Sequence, residues 1–169
     1  LMIIGDGDYS EYQKLAQELG IAEQVLFTGV QMNPFALLAK ADVYALTSDS
    51  EGFPNALIEA MAVGLPCVSV NCKTGPAEIL QNDYQQCAAQ DKVYHADYGI
   101  LTPVFYDGKN LDASMISQEE EIFAGELVEL LLNQKLMTSY RNKALYRANQ
   151  FGVDAYVREI DRLIAQELE

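Results

Sequence analysis

Short apolar runs alternate with helical patterns along the first half of the chain. Four runs are rich in β-prone residues and are each followed by glycine, proline or polar residues, at 1–4, 25–28, 42–46 and 67–70. Between these runs, apolar residues recur at helical spacing over 10–19, 34–40 and 54–63. Strands that alternate with helices are typical of a parallel sheet covered by helices on both faces. The pattern therefore predicts an α/β domain with a Rossmann-like, doubly wound parallel sheet.

The C-terminal third is predicted to be helical. Ser117 and Glu120 carry the signature of a capping box, which begins a helix that runs to about Leu132. After a turn at 106–110 and this helix, two further helices are expected over 135–149 and 153–168. Their apolar stripes are typical of helices that pack into a core. The helix over 10–19 is likewise expected to bury its stripe, which consists of Tyr12, Leu15, Ala16 and Leu19.

The acidic composition narrows the classes of partner. The 169 residues include 11 Lys and Arg and 25 Asp and Glu, so the formal net charge is −14. A chain of this length is expected to form one domain with its own core. Its acidity argues against nucleic acid and against an anionic membrane surface as partners. No apolar run approaches the roughly 20 residues of a membrane span, and no signal peptide is recognisable.

The cysteines and the histidine do not indicate a metal-binding or catalytic site. Cys67, Cys72 and Cys87 are odd in number and match no metal-ligand spacing, which indicates a reducing, cytoplasmic compartment. His95, the only histidine, lies in the polar stretch 82–98 and is assigned no role. The chain begins in an apolar run without Met, so it is expected to be a piece cut from a longer protein.

A pair of glutamates marks the candidate site. Glu51 lies in the loop after the third predicted strand, and Glu59 lies in the following helix, with seven residues between them. In open α/β sheets, ligands bind at this carboxyl edge. The N–H groups at the helix start, those of Asn55, Ala56 and Leu57, suit a phosphate. The two carboxylates are thus expected to hold hydroxyl groups at the two ends of a ligand, about a nucleotide-sugar's length apart.

The turn after the first predicted strand indicates a ligand site less strongly than the two glutamates do. Gly5 and Gly7 form a Gly-x-Gly, but Ser10 stands where a dinucleotide fingerprint needs its third glycine. The pattern supports only a tight turn at Gly5 that lets a ligand approach the backbone.

The order of residues over 51–66 resembles a known family. Glu-Gly-Phe-Pro-Asn-x-x-x-Glu-Ala-Met-Ala-x-Gly-x-Pro is similar to the Glu-x7-Glu signature of the group 1 (family 4) retaining glycosyltransferases. The flanks LMIIGDGDY, VLFTGV, ADVYALTSDSEGF and GPAEIL also resemble that family's donor-binding domain. The likeness extends to about Leu80 and resumes at Gly99, where GILTP resembles a strand of the family; the intervening 82–98 is longer than is usual there.

The resemblance implies a fold and a set of roles. It implies one half of a GT-B fold, namely the C-terminal, nucleotide-sugar-binding domain over 1–169, with the acceptor-binding N-terminal domain absent. The last helix would pack toward that partner domain. Glu51 would meet the sugar hydroxyls as the catalytic-site residue, and Glu59 would accept hydrogen bonds from the ribose. The other implied contacts with the donor are the sugar-lining backbone of Gly52, Phe53, Pro54 and Asn55, the phosphate-facing N–H groups of Ala56, Leu57 and Ile58, and the base-bordering backbone of Thr28 and Gly29.

The resemblance also implies what is lacking. The family neutralises the donor phosphates with an Arg and a Lys on the first strand and loop of this domain, but no Arg precedes Arg141, and Lys14 and Lys40 are expected on helices. Without such cations the leaving diphosphate loses its main stabilisation, so the chain alone is expected to be inactive and a weak donor binder. No metal or cofactor is expected, and the enzyme would be cytoplasmic or held at the inner membrane face by its missing domain.

The sequence is also compatible with functions other than sugar transfer. A glycoside hydrolase needs two carboxyls ~5–10 Å apart about one bond, which the helix start between Glu51 and Glu59 disfavours. A phosphorylase of the same fold needs a cofactor lysine, which the loop lacks. A nucleotide-sugar epimerase and a degenerate, non-catalytic binding module remain as alternatives. The sequence identifies neither the sugar, nor the base, nor the acceptor.

Overall fold

The computed structural model describes residues 1–105 and 111–167 of the chain. The turn predicted at 106–110 and residue Leu168 lie outside the described residues. The strands are β1 (Met2–Ile3), β2 (Leu26–Phe27), β3 (Tyr44–Leu46), β4 (Cys67–Val70), β5 (Tyr94–His95) and β6 (Ile100–Thr102). The helices are α1 (Ser10–Glu18), α2 (Phe35–Leu38), α3 (Asn55–Ala62), α4 (Pro76–Leu80), α5 (Gln118–Leu132), α6 (Gln134–Asn149) and α7 (Val153–Glu167). Short 3₁₀ turns lie at Ala22–Gln24 and Tyr84–Cys87.

The strands form two sheets rather than the single parallel sheet that the sequence predicts. β1 and β2 pair in parallel with each other, whereas the larger sheet has the order β3-β4-β6-β5. Strands β3, β4 and β6 are parallel, with Leu46 opposite Ser69 and Val70 opposite Thr102. The α/β class with a parallel sheet and a helical C-terminal third is confirmed.

Strand β5 runs antiparallel at the edge of the larger sheet. Its two residues pair with β6, so that His95 lies opposite Ile100. The prediction that His95 lies in a polar loop is therefore wrong, because the chain turns back over a short connection and hydrogen-bonds to β6. Nε2 of His95 lies 3.1 Å from Oε2 of Glu126 on α5.

The core lies on both faces of the larger sheet. All four residues of β4 are buried, with Cys67 in one apolar cluster and Val68 and Val70 in the other. Helices α3 and α4 pack on the Cys67 face, α5 packs on the opposite face, and α6 contributes to both. A strand covered on both faces buries consecutive positions, and its polar residue Ser69 is buried with its hydroxyl donating to the carbonyl of Val70 at 2.9 Å.

Several predicted helix ends have the expected chemistry. Ser117 Oγ accepts a hydrogen bond from the N–H of Glu120 at 3.2 Å, and the Glu120 carboxylate accepts one from the N–H of Ser117 at 2.7 Å. This is the predicted capping box of α5. Gly64 follows α3 with φ 80°, the left-handed conformation in which glycine ends a helix.

Two predicted apolar stripes are not buried. On α1, Ala16 is buried, but Tyr12 and Leu19 are 41% and 45% exposed. On α7, the large apolar residues from Val153 to Ile164 are all exposed. The prediction of burial is wrong for Tyr12 and Leu19 and for the large apolar residues of the described part of α7, whereas Ala16 of the first stripe is buried. No helix in the described part of the chain combines the length and apolarity that crossing a membrane requires.

Candidate functional site

The loop between β3 and α3 carries Glu51 and lies at the carboxyl edge of the larger sheet. Since β4 is the parallel neighbour of β3, the loop that follows β4, residues 71–75, emerges at the same edge. Glu51 and Glu59 are both half-buried. Two adjacent loops and the start of α3 therefore surround the candidate site, as expected for an open α/β sheet.

Both glutamates contribute to a raised pKa at Tyr44. This β3 residue is largely buried, and burial raises the pKa of its hydroxyl to about 12, with further contributions from the charges of Cys67, Glu51 and Glu59. The sequence reasoning missed Tyr44, because one tyrosine within a β-prone run gives no signal of a site.

The start of α3 offers fewer free amides than predicted. The N–H of Leu57 donates to the carbonyl of Pro54 at 3.0 Å, so the prediction that it is free for a phosphate is wrong. Pro54 precedes the helix as its N-cap, and its carbonyl closes the first turn. Among the described contacts, the N–H groups of Asn55 and Ala56 have no partner. These two exposed residues are the ones that an anion can approach.

The loop 71–75 holds the Glu51 loop from one side. Thr74 Oγ1 lies 2.6 Å from the carbonyl oxygen of Glu51. A Cβ on Gly75 would lie 2.5 Å from Pro54 Cδ and 2.9 Å from the carbonyl oxygen of Gly52. Burial raises the pKa of the Cys72 thiol, the charge of Glu51 raises it further, and the backbone amides of Cys72 and Glu51 oppose the shift. The sequence reasoning missed this support.

The same loop carries a cation that the sequence reasoning overlooked. Lys73 is exposed and stands beside Thr74, whose hydroxyl contacts the Glu51 backbone. Lys73 therefore adds a positive charge to an edge that also carries Glu51 and Asp49, which both act on the Cys72 thiol.

A cavity of about 540 Å³ lies between α3 and the α6–α7 corner. Its near wall consists of Phe53, Asn55, Ile58 and Glu59, and its far wall of Gln150, Phe151, Ala155, Tyr156 and Glu159. Its volume falls within the range of roughly 300–1,000 Å³ that is usual for small-molecule sites. Four of the predicted residues thus line one wall of this cavity, and Glu51 is not among its lining residues. The far wall was missed, because it lies almost a hundred residues away in the sequence.

Aromatic contacts and one arginine fix the far wall. Phe53 and Phe151 meet edge to face at 5.5 Å between ring centroids. The Arg147 guanidinium lies 4.8 Å from the ring centroid of Tyr98 and 4.9 Å from that of Phe151. It also donates at 2.8 Å to the carbonyl oxygens that end α4, those of Glu78 and Ile79. Arg147 therefore ties α4, α6 and the cavity wall together.

Gly5, Thr28 and Gly29 form a separate group at the end of the two-stranded sheet. The N–H of Gly5 donates to the carbonyl of Gly29 at 3.1 Å, and that of Thr28 to Ile3 at 3.0 Å. The Tyr9 hydroxyl donates to the carbonyl of Gly5. The structure thus brings these three predicted residues together. Among the described contacts, no hydrogen bond joins them to Glu51 or Glu59.

The described residues contain no group of three or more His, Cys, Asp or Glu side chains that could hold a metal ion. The absence of a metal or other cofactor from the reaction stays a prediction.

Sequence comparison relates the chain to enzymes that transfer sugars. A family model described as "Glycosyl transferases group 1" matches residues 1–98. An uncharacterized glycosyltransferase of Methanocaldococcus jannaschii is 33% identical over 168 residues, which cover 97% of this chain and 41% of the relative. The chain thus spans less than half the length of that relative.

Solved structures share the fold. The pneumococcal O-GlcNAc transferase GtfA, in complex with UDP and GlcNAc, matches with a TM-score of 0.73 and 18% identity, over 99% of this chain and 29% of that one. Anabaena HepE, in complex with UDP-glucose, matches with a TM-score of 0.71 and 22% identity, over 98% of this chain and 40% of that one. At these identities the likeness concerns the fold, which is one half of the GT-B arrangement.

Proposed function

The chain belongs to the group 1 glycosyl transferases, and from that membership we propose that it is the donor-binding domain of a retaining, family 4 enzyme. The enzyme would transfer a sugar from a nucleotide-sugar to a glycan, a lipid or another acceptor. One observation carries the proposal: Asn55 and Glu59 of α3 line a cavity of about 540 Å³, and the loop directly ahead of this helix carries Glu51. A phosphate group placed at that helix start would have one carboxylate toward each end of the ligand.

Each polar group has a proposed role in holding the donor. Glu51, the catalytic-site residue, accepts hydrogen bonds from the sugar hydroxyls, and the backbone from Gly52 to Asn55 lines the sugar. The amides of Asn55 and Ala56 face the phosphates, and Glu59 accepts hydrogen bonds from the ribose. Thr28 and Gly29 border the base, and the tight turn at Gly5 lets the donor approach the backbone. Ionised carboxylates suit these tasks, because they accept several hydrogen bonds from neighbouring hydroxyls.

The proposed reaction needs no protein nucleophile. The bond between the anomeric carbon and the phosphate oxygen breaks, and the acceptor oxygen bonds to the same face of that carbon. The acceptor proton passes to the departing phosphate oxygen. The protein then contributes charge stabilisation of the leaving diphosphate, from the α3 amides and from Lys73. Neither a metal nor another cofactor is part of this proposal.

Acceptor binding is proposed to require residues beyond this chain. The chain spans 41% of its archaeal relative and 29–40% of the two solved neighbours. An acceptor-binding domain and further cations for the phosphates would come from the rest of such an enzyme, which we place in the cytoplasm or at the inner membrane face. The chain alone is therefore proposed to bind the donor weakly and to be inactive in transfer, which a transfer assay on it tests.

Calorimetric titration tests donor binding directly. The titrants are UDP, GDP and ADP, with UDP-glucose, GDP-mannose and ADP-glucose, and UDP is included because both structural neighbours were solved with UDP or its glucose derivative. We expect selective binding to one base, at about millimolar strength. Glu59→Gln should weaken binding of the selected diphosphate roughly tenfold, since an amide replaces the charged acceptor of the ribose hydroxyls.

Glu129→Gln is the matched control, because Glu129 is an exposed carboxylate on α5, away from the cavity. It should leave the affinity unchanged. Equal losses in both variants, or tight binding that Glu59→Gln does not affect, would contradict the assignment of Glu59 to the ribose.

A further inference from the structure

We propose that Thr74 is a positioning residue that aims Glu51 at the donor sugar, and that it acts on the sugar end of the ligand without acting on the nucleotide end. The inference rests on the proposed function, which places Glu51 against the sugar. It concerns a residue on a different loop, 23 positions further along the chain.

The Thr74 hydroxyl contacts the backbone of Glu51. Thr74 Oγ1 lies 2.6 Å from the carbonyl oxygen of Glu51 and 2.7 Å from that of Lys73. Its one proton can be donated to either carbonyl, and only the bond to Glu51 joins the two loops. The backbone amide of Glu51 also acts on the thiol of Cys72, which belongs to the same loop as Thr74. The Thr74 hydroxyl is therefore one polar restraint on the backbone from which the Glu51 side chain projects.

Thr74 itself has an unusual backbone conformation. Its φ is 65°, the one positive value among the described residues that are not glycine. A β-branched residue adopts this conformation only where its surroundings compensate for the cost. Buried Cys72 lies before it and buried Gly75 after it. Gly75 lies so close to Gly52 and Pro54 that a Cβ at this position would overlap both.

Different parts of the fold hold the two ends of the proposed ligand. Glu59 and the amides proposed for the phosphates belong to α3, which is anchored in the core by the fully buried Leu57, Ala60 and Met61. That anchor does not involve Thr74. Glu51 instead lies in the loop ahead of the helix. Loss of the Thr74 hydroxyl should therefore disturb the sugar contact and leave the nucleotide contact in place.

Two matched variants isolate the hydroxyl. Thr74→Val keeps the shape and the β-branch and removes the hydroxyl, whereas Thr74→Ser keeps the hydroxyl. Each variant is titrated with UDP and UDP-glucose, GDP and GDP-mannose, and ADP and ADP-glucose. The measured quantity is the affinity of the nucleotide-sugar relative to that of its own diphosphate. We expect Thr74→Val to lower this ratio threefold to tenfold with the diphosphate affinity within twofold, and Thr74→Ser to restore it.

The results that would overturn the role of Thr74 differ from the result that would overturn donor binding by this chain. An unchanged ratio in Thr74→Val overturns the inference, and so does an equal loss for diphosphate and nucleotide-sugar, which would indicate a merely structural role. If the unmodified chain binds none of the six titrants, donor binding by this chain fails on its own.

Amide hydrogen exchange without ligand then tests whether the Thr74 hydroxyl restrains the loop that carries Glu51. Faster exchange at Gly52 and Phe53 in Thr74→Val, with Thr74→Ser like the unmodified chain, supports the restraint. Unchanged exchange in Thr74→Val overturns it.

Discussion

Among the described glycines, Gly75 is the one at which an added Cβ would make the shortest contact. It has φ 87° and ψ −70°, and an added Cβ would lie 2.5 Å from Pro54 Cδ. Neither a proline ring nor the nearby Gly52 backbone can swing aside. We expect Gly75→Ala to lower the free energy of unfolding by about 2–4 kcal/mol, as the sum of backbone strain and overpacking. Urea denaturation measures this cost.

Gly20 supplies the control for Gly75. Its φ is 69°, but no atom lies within 4 Å of the position that its Cβ would take. Gly20→Ala should therefore cost only the strain of the left-handed conformation, about 1 kcal/mol. Similar losses for the two variants would mean that the loop 71–75 does not press on the Glu51 loop in solution.

The residues of the site were predictable only in part. Glu51, Glu59 and the helix start between them follow from the sequence, since a loop after a parallel strand must emerge at the carboxyl edge. Tyr44 and Thr74 do not follow from it, because their roles depend on contacts between strands and loops that adjoin only in the fold. The pairing of Leu57 with Pro54 also escaped prediction, because it depends on how tightly the first turn closes.

At the scale of elements, the periodic helices and the short apolar strands β1 to β4 were predicted, whereas strand β5 and the pairing of the strands were not. Helices α3, α5 and α6 lie within a residue or two of their predicted bounds, because their apolar spacing and end residues agree. Strand β5 has two residues and follows a polar segment, so no pattern marks it. The separation of β1 and β2 from the larger sheet is equally invisible, because periodicity does not state which strands pair.

The exposed stripe of α7 gives a prediction at the same scale. Leu163 on this stripe is 49% exposed, whereas Leu130 on α5 is fully buried. Leu130→Ala should cost about 2–5 kcal/mol of unfolding free energy, because it removes core contacts and leaves a cavity. Leu163→Ala should cost less than about 1 kcal/mol, because the side chain has little contact to lose. Urea unfolding of both variants at low protein concentration measures the difference.

A large loss in Leu163→Ala would contradict the exposed stripe. It would mean that the face of α7 is covered in solution. Sedimentation velocity on the unmodified chain is the check, because self-association is the way in which a chain in isolation can bury such a face.

On the scale of the whole molecule, two features act on the proposed donor in opposite directions. The fold supplies a concave site with free amides, to which an anion is attracted. The chain as a whole carries a formal charge of −14, and Asp49, Glu51 and Glu59 add negative charge at the site itself. Lys73 offsets only part of this charge. The net field of the molecule should therefore oppose the approach of a nucleoside diphosphate.

This balance predicts that donor affinity rises with salt. The Debye length falls from about 30 Å at 0.01 M to about 8 Å at 0.15 M, so distant carboxylates are screened while contacts within the site are screened much less. We expect the diphosphate selected by calorimetry to bind roughly twofold to fivefold more tightly at 0.15 M than at 0.01 M NaCl. The corresponding nucleoside, which carries no charge, serves as the control and should bind equally at both. An affinity that falls with salt would show instead that local cations such as Lys73 outweigh the charge of the whole molecule, and Lys73→Gln should then abolish that dependence.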